Sequence, residues 1–310
     1  MYIPDSHLNG YLHARRGLQA MFSKIFVAIP AYRDQELAAT LLDLFAKANS
    51  PEDLRVVVAW QFSKGERLPR KVLNHKNIEI IAIPADESLG PNWARKLLQD
   101  QYAGEAFTLL LDSHHRFVEG WDEIALGIFN GLKKTVAQPI LTAYLPSYDP
   151  NRDPRGRMRE VLKIYPLRRT DGLLTHLTGH RVTLWRTLRS PIPAAFPSLH
   201  FLFAEGSFHR DIRMDPEIYF FGDEVFTGLR AYTHGYDLYH PHKILGWHLY
   251  DRASRTTHWD DHLDWRRAES LSFKKMRDIV SGHVQARGIL GSLRSVRAYE
   301  EHIGTELIQD

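Results

Sequence analysis

The chain of 310 residues contains no cysteine, which excludes disulfides and thiolate metal sites and leaves the redox compartment open. Long apolar runs are missing as well: none approaches the ~18 residues that a membrane span requires. The first residues, MYIPDSHLNGYLHARRGLQ, lack the apolar core of a signal peptide. The expectation is a cytoplasmic protein with no membrane span. Net charge is scarce, 40 Lys and Arg against 37 Asp and Glu giving +3. That balance suits an anionic small ligand and gives no ground for a nucleic-acid partner. Several signatures are also absent. No G-x-G-x-x-G follows the first apolar run, no G-x-x-x-x-G-K-[ST] occurs, and neither H-E-x-x-H nor G-x-S-x-G is present. The usual dinucleotide site, a P-loop phosphotransferase and a zinc protease thereby lose their support. A nucleotide held through a metal ion does not.

What is present is a core of ample size, 44% of the residues being hydrophobic. Short runs rich in Ile, Val and Leu read as strands at 24–30, 54–60, 78–84, 106–111 and 138–146. Amphipathic stretches read as helices at 34–48, 92–102 and 123–134. Strands alternating with helices predict an α/β fold with a mostly parallel central sheet covered on both faces. The Pro-, Gly- and charge-rich segment 147–160 reads as a long loop or flap. Beyond it the order is less regular, with strands expected at 201–208 and 243–250, a helix at 222–235, and a charged helical tail from 258. Three units follow: an N-terminal extension, 1–23; a catalytic domain, 24–257; and a C-terminal helical extension, 258–310.

In an open parallel sheet, ligands bind beyond the carboxyl ends of the strands. Four successive strand ends here carry polar groups: AYRD (31–34), QFSKG (61–65), ADESLGPNWAR (85–95) and DSHHR (112–116). Strand ends meet solvent anyway, but two histidines and an aspartate are not ordinary turn chemistry. Residues i and i+2 of an extended segment share a side, so Asp112 and His114 can converge on one hard divalent ion such as Mn²⁺. The competing reading has Asp112 capping the next turn while His114 satisfies a loop carbonyl. Further on, Asp223 and Glu224 follow a glycine at a helix start, where acids also favour the helix dipole. His234, His240, His242 and His248 lie nearby in sequence; His248, within an apolar run, is either a satisfied core histidine or a ligand. Phe201, Phe203, Tyr219, Phe220 and Phe221 are either an aromatic platform or core.

The blocks IFVAIPAYRDQEL, GPNWAR, LLLDSHHRFVEGWD, FFGDEVFTGLRAYTHGYDLYHP and HLYDR resemble those of the N-acetylglucosaminyltransferases that modify polypeptide hydroxyl groups. That family includes the enzyme acting on hydroxyproline of a cytoplasmic ubiquitin-ligase subunit. The layout is also similar to the mucin-type polypeptide N-acetylgalactosaminyltransferases, with their D-x-H metal motif. The resemblance spans about residues 24–252. It implies a GT-A glycosyltransferase fold, UDP-N-acetylglucosamine as donor, Mn²⁺ or Mg²⁺ as cofactor, and a hydroxyl acceptor on a peptide, protein or small molecule. It implies a metal site of Asp112, His114 and His248. It surrounds the nucleotide sugar with Tyr32, Arg33, Asp34, Gln61, Gly90, Arg95, Asp112 and Ser113, and sets Asp223 and Glu224, the catalytic acids, facing sugar and acceptor. Retention of anomeric configuration is implied too; in an inverting enzyme Asp223 or Glu224 would be the base. Two other readings stay open. One is a mononuclear metal hydrolase or oxygenase built on Asp112, His114 and the histidines from His234 to His248. The other is a nucleotide-sugar binding protein without turnover.

Overall fold

The computed structural model describes residues 24–252, 255–284 and 288–309; the N-terminal extension expected at 1–23 lies outside them. In chain order the strands are β1 (Ile25–Tyr32), β2 (Leu54–Phe62), β3 (Ile78–Pro84), β4 (Phe107–Leu111), β5 (His115–Phe117), β6 (Pro139–Thr142), β7 (Leu162–Thr170), β8 (Leu173–Arg181), β9 (Ile192–Pro193), β10 (Phe201–Glu205), β11 (Asp237–His240) and β12 (Gly246–His248). The helices are α1 (Leu37–Lys47), α2 (Arg70–Leu73), α3 (Pro91–Gln99), α4 (Trp121–Lys133), α5 (Phe208–Asp211), α6 (Asp223–Thr233), α7 (His258–Asp261), α8 (Trp265–Val280) and α9 (Val296–Ile303).

Eight strands form one sheet in the order β3-β2-β1-β4-β10-β6-β11-β9. The first four are parallel, as their unbroken apolar runs predict, and β10 enters antiparallel between β4 and β6. Alternation along β1 shows why both faces are covered. Ile25, Val27 and Ile29 join Leu41 and Leu44 of α1 and Trp121 and Phe129 of α4 on one side. Phe26 and Ala28 meet Ala94 and Leu98 of α3 on the other. A short ribbon pairs β5 with β12 and sets His115 opposite His248.

The stretch 161–181 is not irregular; it is a hairpin, β7 and β8, closed at Asp171-Gly172 with φ of 50° and 79°. The segment 147–160 is no cover for the cleft. It braces β12 from behind: Tyr148 N–H donates to the His248 carbonyl at 3.3 Å, and Trp247 Nε1 donates to the Met158 carbonyl at 2.8 Å. Residues from 258 onward are integrated rather than trailing. Met276 and Ile279 of α8, Tyr299 of α9 and Leu307 share a core with Ile164, Leu173 and Leu174 of the hairpin and Val225, Phe226 and Leu229 of α6.

Candidate active site

One cleft, about 390 Å³, runs along the carboxyl edge of the parallel strands and into the second half of the chain. Tyr32, Asp34, Gln61, Gly90, Arg95, Asp112, Ser113, His114, Asp223, Glu224 and His248 all line it. Arg33 does not. Its guanidinium is taken by Asp261 of α7, at 2.7 and 2.9 Å, and by Glu66 at 3.4 Å.

Asp112, His114 and His248 converge: each offers a ligand atom, and the three atoms lie within 4.8 Å of one another. Asp112 Oδ2 is 3.6 Å from His248 Nε2 and 3.9 Å from His114 Nε2. The surroundings prepare each group for a cation. Burial alone would raise the Asp112 pKa, but Arg95 and the neighbouring imidazoles outweigh it and hold the carboxyl below its ordinary value. Asp34 accepts from Ser113 Oγ at 2.6 Å and lies 2.6 Å from His114 Nδ1. Burial opposes ionisation of Asp34; the hydrogen bonds from His114, Ser113 and the Glu36 N–H more than offset it, so the carboxylate is ionised and can only accept. His114 Nδ1 therefore carries the proton, and its Nε2 lone pair is left for a ligand, the carboxylate–histidine pairing common behind metal sites. In this structure Arg255 Nη1 donates to that nitrogen at 2.6 Å, so a cation already faces it. His248 is buried, and neither ring nitrogen has a hydrogen-bond partner among the described residues. Burial first, then its electrostatic neighbours His114, His115, Arg255 and Arg252, pushes its pKa well below the ordinary histidine value and keeps it neutral, as a ligand must be. A buried imidazole without partners costs free energy unless something binds it. The donor set of one carboxylate and two neutral imidazoles fits a hard or borderline divalent ion such as Mn²⁺.

Behind this trio lie two further histidines, His200, which sequence reading missed, and His115 of the DSHHR run, to which it gave no role. His200 stacks on His248 with ring centroids 4.1 Å apart and planes at 13°. Its Nε2 accepts from the Leu145 N–H at 3.1 Å, so it holds His248 in place without competing for the ion. It reaches the site because β10 is antiparallel, which brings its amino end to the edge where the other strands end. His115, below His248 in the ribbon, has Nδ1 3.1 Å from the Asp112 carbonyl, and burial lowers its pKa to about 3. The other histidines of the expected cluster do not arrive. His240 is buried in the main sheet, His234 Nδ1 lies 2.8 Å from the Arg230 carbonyl at the end of α6, and His242 lines a separate depression beside α4. Of the histidines from His234 to His248, the hydrolase or oxygenase reading keeps His248 alone, beside Asp112 and His114.

Asp223 and Glu224 open α6 after Gly222, whose φ of 84° disfavours any side chain and where an added Cβ would lie 2.9 Å from Met276 Cε. Arg95 links the two halves of the site. Its Nη2 is 3.5 Å from Asp112 Oδ1 and its Nη1 3.0 Å from Asp223 Oδ2. Glu224 is fully engaged: Tyr144 Oη donates at 2.7 Å, Ser198 Oγ at 3.0 Å and the Leu199 N–H at 2.8 Å. Burial drives both acids above the ordinary carboxylate range, Arg95 opposing the rise at Asp223 and Asp223 adding to it at Glu224. Gly90, at φ 109°, starts α3 and lies flat against Tyr219, whose ring a Cβ would meet at 2.9 Å.

The far wall is aromatic, and the segment after 255 contributes Trp259 and His258 to it. Phe220, Phe221 and Trp259 pack with centroids 4.9–6.2 Å apart, and His176 of β8 stacks on Phe221 at 4.5 Å. Arg252 lies over Phe220 and Trp259. Phe201 and Phe203, by contrast, are core. The strand end of β1 is tied to α7: Tyr32 Oη donates to Asp261 at 2.6 Å, and Tyr219 Oη lies 2.6 Å from His258 Nδ1. The HWDDH run (258–262) gave no sign of this role, because nothing in its spacing distinguishes a strap from a solvated helix.

The architecture is that of the GT-A glycosyltransferases. More narrowly, the chain belongs to the family described as Glycosyltransferase (GlcNAc), whose profile matches residues 24–72 and 66–307. Among curated proteins no sequence matches. In fold the chain is similar to a crystal structure of GalNAc-T7 with UDP, GalNAc and Mn²⁺, at TM-score 0.61 and 13% identity over 91% of this chain; it spans 57% of that chain. It is also similar to S. aureus TarS 1-349 in complex with UDP-GlcNAc, at TM-score 0.51 and 16% identity, covering 90% of this chain and 70% of that one. At these identities the likeness is one of fold. Among the described residues no helix is long and apolar enough to cross a membrane.

Proposed function

We propose that the protein transfers N-acetylglucosamine from UDP-N-acetylglucosamine to a hydroxyl of a peptide or protein, with retention of configuration and with Mn²⁺ or Mg²⁺ held by Asp112, His114 and His248. The observation that carries this reading is the convergence of those three ligand atoms, with both His248 nitrogens unpartnered, at the edge of a GT-A sheet. The family name and the UDP-sugar ligands of the two similar structures support it. The bound ion would supply Lewis-acid neutralisation of charge on a departing diphosphate, worth several kcal/mol.

The chain's own groups do the rest. Tyr32, Gln61 and Gly90 border the nucleoside end of the cleft, and Ser88 Oγ fixes Gln61 by donating to its Oε1 at 2.5 Å. Asp34 and Ser113 orient His114. Arg95 holds positive charge between the ion site and Asp223, where charge-assisted hydrogen bonds to phosphate or sugar oxygens are strongest. Glu224 has three protein donors and Asp223 is held by Arg95 and the Glu224 N–H, so neither is a free base for in-line attack. That arrangement favours retention, with Asp223 stabilising an electron-poor sugar electrostatically.

The test is a thermal-shift series with UDP-sugars, followed by a hydrolysis and transfer assay. UDP-N-acetylglucosamine is expected to stabilise the protein only with Mn²⁺, and Asp112→Ala to abolish the shift. Stabilisation that survives EDTA, or the Asp112→Ala change, would defeat the metal-bridged reading. Metal-dependent binding with no turnover on any hydroxyl acceptor would leave a binding protein instead.

A further inference from the structure

The aromatic end of the cleft opens onto the β7–β8 hairpin, and the hairpin's outward face has a composition that neither the core nor the cleft explains. Cross-strand partners share a face, so the pairs Arg168↔His176, Tyr165↔Thr178 and Lys163↔His180 form one ladder. The irregularity after Pro166 is what brings Arg168, rather than Leu167, opposite His176. The ladder starts inside the cleft, where His176 stacks on Phe221, and runs outward. Its members touch: Arg168 Nη2 is 2.7 Å from His176 Nε2, the Tyr165 and His180 rings are 5.2 Å apart, and Lys163 Nζ lies 5.6 Å over the Tyr165 ring. The hairpin's buried residues Ile164, Leu173 and Leu174 are spent on the core.

Charge on this ladder is of one sign. From 161 to 190 the only acid is Asp171, at the turn, against Lys163, Arg168, Arg169, Arg181, Arg186 and Arg189. Arg181 lies 3.9 Å from Glu160, and Arg169 donates to Thr305. Lys163 and Arg168 have no carboxylate partner among the described residues. Beside them Tyr165 and Leu167 are left 41% and 63% exposed. Cations alternating with exposed apolar side chains match an extended chain whose own side chains alternate with a repeat of about 7 Å, acid on one step and apolar on the next. A bare phosphate polymer would make no use of Tyr165 and Leu167.

We propose that the outward face of the β7–β8 hairpin, centred on Lys163, Tyr165 and Arg168, binds an acidic segment of the peptide acceptor beside the hydroxyl that enters the cleft. The proposal rests on the transferase reading for the word acceptor, and its test separates the two. Fluorescently labelled poly-L-glutamate is titrated in low salt onto wild type, the double variant Lys163→Glu/Arg168→Glu, the variant Tyr165→Ala, and a control with the same charge change on another surface, Lys274→Glu/Arg297→Glu. The expected result is a Kd about tenfold weaker for the double variant, a smaller loss for Tyr165→Ala, no change for the control, and the same Mn²⁺-dependent shift with UDP-N-acetylglucosamine in all four. Because the last readout also reports folding, a misfolded variant would be visible, and Tyr165→Ala then carries the test alone. Equal binding by wild type and the double variant overturns the proposal. So does an equal loss in the control, or inorganic polyphosphate displacing the peptide and losing its affinity in the same variant while Tyr165→Ala changes nothing. Absence of any donor-dependent shift in wild type would remove the transferase reading and leave the peptide result standing.

Discussion

His240 and His248 sit at the ends of successive strands, both buried, both with pKa values pushed down by burial, and they do different things. In β11, inside the main sheet, His240 Nδ1 lies 2.7 Å from the Thr142 carbonyl and Nε2 accepts from the Ile164 N–H at 3.2 Å. Every polar atom of that ring is spent on joining the sheet to the hairpin. In β12, on the small ribbon, His248 spends neither nitrogen on the protein and directs Nε2 towards Asp112. Burial and a shifted pKa are common to a structural histidine and a candidate ligand. What separates them is whether the lone pair and the N–H already have partners.

The comparison breaks or holds on paired substitutions. His248→Ala is expected to weaken Mn²⁺ affinity by about 100-fold or more, read by titration against the UDP-sugar thermal shift, while costing the metal-free protein no more than about 1 kcal/mol. His240→Ala should do the reverse. It leaves the Ile164 N–H and the Thr142 carbonyl unsatisfied and opens a cavity, a loss of about 2–4 kcal/mol in denaturant unfolding, with Mn²⁺ affinity unchanged. Equal destabilisation by the two changes, or metal binding that survives His248→Ala, would erase the distinction.

The same distinction explains how much could be read from the sequence. The four parallel strands were legible because a strand covered on both faces is a continuous apolar run, and the D-x-H pair was legible because i and i+2 share a side. The family resemblance singles out His248 in HLYDR, but residue chemistry alone does not separate it from His240 in HGYDLYHPHKILGWHLYDR, since satisfaction of a ring nitrogen is a tertiary fact. His200 was invisible because it precedes the amino end of an antiparallel strand, whereas the rule that ligands lie beyond strand carboxyl ends holds for the parallel ones. The hairpin did leave a signal: Asp-Gly at 171–172 is the dipeptide that closes two-residue turns, but Pro166 and the arginines around it masked the alternation.

A smaller effect sharpens the role of His114, whose Nδ1 is held by Asp34 and whose Nε2 faces Arg255 and the ion site. Asp34→Asn keeps the size of the side chain but removes the charge that fixes the tautomer. Mn²⁺ affinity is expected to fall about 10- to 100-fold, the usual cost of losing a carboxylate behind a ligating histidine. Ser113→Ala, which removes only a neutral donor to the same carboxylate, should cost less. If Asp34→Asn leaves affinity intact, the Nδ1 contact is structural and His114 resembles His240 after all.

A last contrast concerns a buried carboxylate whose hydrogen-bond partners are neutral. Glu269 of α8 accepts from the Phe221 N–H at 2.9 Å and the Phe220 N–H at 3.4 Å, so the helix holds the turn that presents the aromatic wall and Asp223. No cation offsets its burial, as Arg95 does for Asp112, and its pKa rises from 4.5 to about 7. Between those values the native state keeps a proton that the unfolded chain has released. The unfolded state then binds fewer protons, and this group makes stability fall as pH rises from about 4.5 to about 7. Glu269→Gln is neutral throughout and keeps one acceptor for the Phe221 N–H. Relative to wild type it should gain about 2–3 kcal/mol between pH 5 and pH 8, measured as the difference of the two pH profiles so that Asp223 and Glu224 cancel. Parallel profiles would mean that the two N–H donors alone compensate the buried charge, and that the contrast between satisfied and unsatisfied groups, which sorts the histidines, sorts the carboxylates as well.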